Sequence, residues 1–151
     1  MLIIKHRLND YPKTDEGILG DGAEIDVRIF NGKLIVEHDP FKNGLLLKDW
    51  LSKFKGNLLI VNVKEEGLLP YIIPTLKLAK VREYFILDES IPFIIKYCIA
   101  GNPNFGIRVS KWEPVCAAIK IIKNITPSPS WIWLDTFDGK LPINKQELLD
   151  L

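Results

Sequence analysis

Between Ala23 and Asp39 the chain spells out a strand, a reversal and a returning strand: Ala-Glu-Ile-Asp-Val-Arg-Ile-Phe, then Asn31-Gly32, then Lys-Leu-Ile-Val-Glu-His-Asp. Side chains alternate across an extended strand, so Glu24, Asp26 and Arg28 share one face and Ile25, Val27 and Ile29 the other. Asn-Gly between two apolar-rich runs is a strong hairpin signal. The reversal brings His38 and Asp39 back toward the strand that bears Glu24 and Asp26. This stretch therefore predicts a compact polar group of acids and a histidine inside apolar surroundings.

The remainder alternates between strand and helix patterns. Leu2 to Arg7 reads as a short buried strand ending in His6 and Arg7, and Leu8 to Gly22 as a loop rich in Asp, Gly, Lys and Pro. Leu45 to Phe54 has apolar residues at helical spacing, and Asn57 to Lys64 is a near-continuous apolar run, as in a strand covered on both faces. Leu68 to Ala79 reads as a helix that Pro70 and Pro74 delay or kink. Strands follow at Glu83 to Asp88, Phe105 to Trp112 and Trp131 to Asp135, with helices from Ser90, over Glu113 to Lys123, and over Ile143 to Leu151. This order predicts an α/β protein with parallel strands. Because no Gly-rich phosphate loop follows the first strand, a β/α barrel is favoured over a dinucleotide-type open sheet. Polar residues gather at the C-terminal ends of several strands, as in barrel active sites.

Composition narrows the functional classes. With 151 residues, 47% hydrophobic and 26% charged, the chain suits a single globular domain over 1–151. Its net charge of +1, with no basic stripe, argues against a nucleic-acid partner. Cys98 and Cys116 lie in apolar, helix-like contexts and read as two small buried hydrophobes. The apolar start is too short for a signal peptide, and no run approaches the ~20 residues of a membrane span. A cytoplasmic protein is expected.

His6-Arg7 ending the first strand, Glu24-Ile-Asp26-Val on the second, Asn31-Gly32-Lys-Leu-Ile-Val-Glu-His38-Asp39 after it, and Lys64 closing the third strand resemble the glycerophosphodiester phosphodiesterase family. The likeness covers roughly the first 65 residues. It implies a TIM-type β/α barrel related to phospholipase C-like phosphodiesterases, and a metal-dependent phosphodiester hydrolase acting on a small phosphodiester. It further implies His6 and His38 as general acid and base, Glu24 and Asp26 as ligands of Mg2+ or Ca2+, and Arg7 and Lys64 as phosphate-binding cations. Asp39 would sit beside His38. A neighbouring substrate hydroxyl would attack first, giving a cyclic phosphate that water opens. The residue types suit such chemistry in their own right, since imidazole titrates closest to neutrality and carboxylate oxygens bind hard cations.

Two features depart from the pattern. Where the family ends its third strand Glu-x-Lys, this chain has Asn62-Val-Lys64, an amide in place of a charged ligand, with Glu66 at matching strand parity as a substitute. About six strands are legible, whereas a closed barrel has eight, so the barrel is expected to be incomplete. Open edges predict a homo-oligomer, with Trp131 and Trp133 on the covered surface. The alternative function is a barrel without turnover that serves as a binding or assembly subunit.

Overall fold

Gly22 opens the strand around which the N-terminal half is built, because no other residue fits there: a Cβ at this position would lie 2.2 Å from the carbonyl oxygen of Leu58. The computed structural model describes residues 2–11 and 21–149. It divides into two compact units, Met1–Glu89 and Ser90–Leu151.

In the first unit the elements run β1 (Ile4–Lys5), β2 (Gly22–Phe30), β3 (Lys33–Val36), β4 (Leu45–Leu46), α1 (Leu47–Lys53), β5 (Leu58–Val63), α2 (Leu69–Leu78) and β6 (Glu83–Leu87). The strands form a six-stranded mixed sheet in the order β4-β3-β2-β5-β6, with β1 also on β2. The β1, β2, β5 and β6 strands run parallel, and β3 and β4 are antiparallel additions. All six residues of β5 are buried, which is what its unbroken apolar run requires of a central strand. Since β5 occupies one edge of β2, β1 and β3 must share the other. β1 pairs with Gly22 and Ala23 there, and β3 with Val27 to Phe30. The exits of β1 and β3 thus approach each other along one strand edge.

Leu45 and Leu46, expected to begin a helix, instead pair with Val36 and Ile35 as β4, and the helix starts at Leu47. Pro70 lies in the first turn of α2 and Pro74 in its interior, so no amide closes a helical bond onto the Pro70 carbonyl.

The second unit holds α3 (Ile91–Ile99), β7 (Gly106–Val109), α4 (Val115–Asn124), β8 (Trp131–Leu134) and α5 (Lys145–Leu149). β7 and β8 form a two-stranded parallel sheet joined through α4. Cys98 is buried as expected, and burial pushes its thiol pKa up. Cys116 is exposed, a correction to its expected burial, because α4 turns Val115 and Ala118 inward and leaves the position between them outward. Trp131 is exposed and Trp133 half-buried.

The six strands legible in the sequence are all present, but four lie in one sheet and two in the other, and the described residues form no closed barrel. No helix among the described residues is long and apolar enough to cross a membrane.

Candidate functional site

Alternation along β2 puts Ile25 and Val27 into the apolar core and turns Glu24 and Asp26 to the opposite face, yet both acids are buried too, at 1% and 0% exposure. Asp26 is in register with Asn62 of β5, so the amide shares the face of the two carboxylates. Lys64 follows directly. Its backbone amide donates to the Val27 carbonyl at 3.1 Å, and its ammonium lies 2.9 Å from Asp26 Oδ1.

The bonding of these oxygens is uneven. Glu24 Oε2 accepts from the Arg7 amide at 2.7 Å and has His6 Nε2 at 3.6 Å. Asp26 Oδ2 accepts from Asn9 Nδ2 at 2.8 Å, and Asn9 Oδ1 accepts in return from the Asp26 amide at 2.9 Å. Glu24 Oε1 and Asn62 Oδ1, by contrast, are buried with no hydrogen-bond partner. Asp26 Oδ1 has the Lys64 charge beside it without hydrogen-bond alignment. Buried acceptors are nearly always satisfied, so such a group on one sheet face calls for an explanation. Carboxylate and amide oxygens are the donors that Mg2+ and Ca2+ prefer, and the set suits a hard cation on that ground. It contains only two acids: among the described residues, no group of three or more His, Cys, Asp or Glu is placed to hold a metal.

Both histidines reach this region through the shared edge of β2. After His6 and Arg7, the Leu8 amide donates to the Glu24 carbonyl at 2.9 Å; before His38, the Glu37 amide donates to the Asp26 carbonyl at 3.0 Å. Those carbonyls are two residues apart on one strand, about 7 Å. The His6 side chain is 61% exposed beside the buried Glu24, so a solute could reach the ring. Arg7 is exposed and holds a positive φ of 52°, a turn that aims its amide at Glu24. The His38 ring is paired with its neighbour Asp39. Its Nδ1 lies 2.9 Å from Asp39 Oδ1, while its carbonyl accepts from Arg28 Nε at 2.9 Å. The His38 bond and the Lys42 ammonium hold the Asp39 carboxyl down at about 2.

Compared with models of known protein families, with curated proteins and with solved structures, the chain matches none. The site therefore rests on its own geometry.

That geometry brings His6, Glu24, Asp26, Asn62 and Lys64 together, with the Arg7 backbone. It brings the His38 backbone to the same edge, its ring paired with Asp39. Glu66 does not join them. The strand ends at Val63, the chain turns through Gly67 at φ 85°, and Glu66 is left exposed. Two contributors escaped the sequence reading. Asn9, within a stretch legible only as loop, clasps Asp26 from both sides. Trp50, legible only as a helical core residue, donates its indole N–H to the carbonyls of Leu8 at 3.0 Å and Asp10 at 2.9 Å, which fixes the loop around Asn9. The available signal was an Asn two residues beyond a charged strand end, a residue type that bonds backbone readily.

Proposed function

We propose that the chain is a metal-dependent phosphodiester hydrolase of the glycerophosphodiester phosphodiesterase kind, on an incomplete β/α barrel. The observation that supports this most is the buried row Glu24, Asp26 and Asn62, whose unsatisfied oxygens face one side of the sheet beside His6 and Lys64. Glu24, Asp26 and Asn62 would hold Mg2+ or Ca2+, which when bound supplies positive charge against the charge building on phosphoryl oxygens. The chain's own residues do the rest. His6 and His38 exchange protons with the attacking and leaving oxygens, one taking a proton and the other giving one. Asp39, ionised throughout the neutral range, orients the His38 ring through Nδ1 and leaves Nε2 for the substrate. Lys64, and Arg7 from the rim, attract the phosphate. Asn9 and Trp50 keep Asp26 in place before any ligand arrives.

The second reading, a binding or assembly subunit without turnover, is favoured by the neutral amide at Asn62 and by the ammonium already beside Asp26. Hydrolysis of bis-p-nitrophenyl phosphate with added Mg2+ or Ca2+ decides between them. Turnover should fall by roughly 10²- to 10⁴-fold in His6→Ala and in His38→Ala. No turnover by the unaltered chain with either metal would favour the second reading.

A further inference from the structure

Each acid of the buried row divides its two oxygens between different tasks. Glu24 Oε2 accepts from the Arg7 amide and Asp26 Oδ2 from Asn9, bonds that tie the acids to the scaffold. Glu24 Oε1, Asp26 Oδ1 and Asn62 Oδ1 are the oxygens left without a hydrogen bond, all on residues no more than 6% exposed. These are the donors that a metal would use, and one of them already has a cation beside it: Lys64 Nζ stands 2.9 Å from Asp26 Oδ1.

The position of that ammonium decides how a metal can enter. Two carboxylates buried on one face repel each other and have lost their hydration, so they need positive charge close by. Lys64 supplies it from within the chain. With the ammonium in place the two acids carry one uncompensated negative charge rather than two, and a divalent ion at Asp26 Oδ1 would have a like charge as its neighbour. Lys64 directly follows the last residue of β5 and its side chain is 17% exposed, so it has solvent to turn into. Lysine suits such a part, being a point charge on a flexible stem with no planar fork to satisfy. We infer that Lys64 is the resident counter-ion of this row, and that Mg2+ or Ca2+ binds by exchange with it, taking Asp26 Oδ1 as the ammonium leaves. The inference rests on the reading of the row as a metal site and adds what governs its occupancy. A tethered cation competes for the site and lowers its affinity, and loading the metal releases the ammonium toward the phosphate.

Isothermal titration of the full chain with CaCl2 tests the exchange. Lys64→Met keeps an unbranched stem without its charge, and should bind Ca2+ at least about tenfold more tightly than the unaltered chain. Ca2+ should also raise the melting temperature of Lys64→Met by more than that of the unaltered chain. Lys77→Met removes an equal charge from the exposed last turn of α2 and should leave the affinity unchanged. Equal or weaker Ca2+ binding in Lys64→Met, or equal tightening in Lys77→Met, would overturn the exchange while the metal site stands. No Ca2+ binding by either the unaltered chain or Lys64→Met would overturn the metal site with it. If Lys64→Met does not fold by itself, because Asp26 has lost its counter-ion, excess CaCl2 should restore the fold as read by circular dichroism. A variant that stays unfolded in excess CaCl2 would overturn the exchange.

Discussion

The two units place their polar groups differently. In Met1–Glu89, the acids of the central strand sit inside the sheet, and Glu24 Oε1 and Asn62 Oδ1 are buried without hydrogen bonds. In Ser90–Leu151, the charges on the sheet lie at strand ends: Arg108 and Asp135 pair at 22% and 28% exposure. Ser110 is buried there but bonded, donating to Glu113 Oε2 at 2.7 Å and accepting from the amides of Trp112 and Glu113 at 3.2 Å. Satisfied polar groups stabilise a scaffold; unsatisfied ones reduce stability and persist where something else uses them. The contrast is the reason the proposed site is placed in the first unit.

The largest expected effect tests that contrast through two ion pairs. Asp26 is fully buried against Lys64, which is 17% exposed, and Asp26 also holds Asn9. Asp26→Ala strands a poorly hydrated ammonium and should cost the first unit about 3 kcal/mol. Asp135→Ala removes a partner of better-hydrated Arg108 and should cost the second unit about 1 kcal/mol or less. Urea unfolding followed by 19F-tryptophan NMR separates the units, because Trp50 is the only tryptophan in the first and Trp112, Trp131 and Trp133 are in the second. Equal losses would break the comparison.

A smaller effect of opposite sign should come from Asn62→Leu. It replaces an unsatisfied buried amide oxygen with apolar volume on a wholly buried strand, and should raise the stability of the first unit by about 1 kcal/mol. The same variant should weaken Mg2+ or Ca2+ binding measured by calorimetry. A stabilised variant with unchanged cation affinity would remove Asn62 from the ligand set.

The residues in these tests were mostly visible in the sequence, for a definite reason. Period-two alternation over Ala23 to Phe30 and the Asn31-Gly32 reversal are local signals, and local signals determined β2, β3 and the shared face of Glu24 and Asp26. The apolar run over Asn57 to Lys64 similarly announced a covered strand, while Asn62 was joined to the acids only through the family resemblance. What local pattern cannot encode is which strand edges meet. The division of six strands into a sheet of the first unit and a separate β7–β8 pair depends on long-range pairing. So do β4, which takes its geometry from β3, and the clasp of Asn9 on Asp26, which spans 17 positions. Cys116 was misjudged for a subtler cause: an apolar neighbourhood in sequence becomes two opposite faces once wound into a helix.

The smallest effect concerns the rim of the first unit, where the ion pairs resemble those of the second in being solvated. Asp39 is bonded to the His38 ring and to the Lys42 ammonium at 2.6 Å, whereas the exposed pair of the second unit, Lys111 and Asp138, is 4.0 Å apart. The imidazole bond is the larger cause of the lowered Asp39 pKa, with Lys42 next. A carboxyl held below its ordinary 3.8 contributes stability that is complete above that value and disappears as the pH falls through about 2. Lys42→Gln and His38→Ala should therefore each move the Asp39 carboxyl 13C titration upward part of the way to 3.8. An Asp39 that still titrates near 2 in His38→Ala would mean that its carboxylate does not hold the ring. The His38 imidazole would then lack the orientation that proton transfer at its far nitrogen requires.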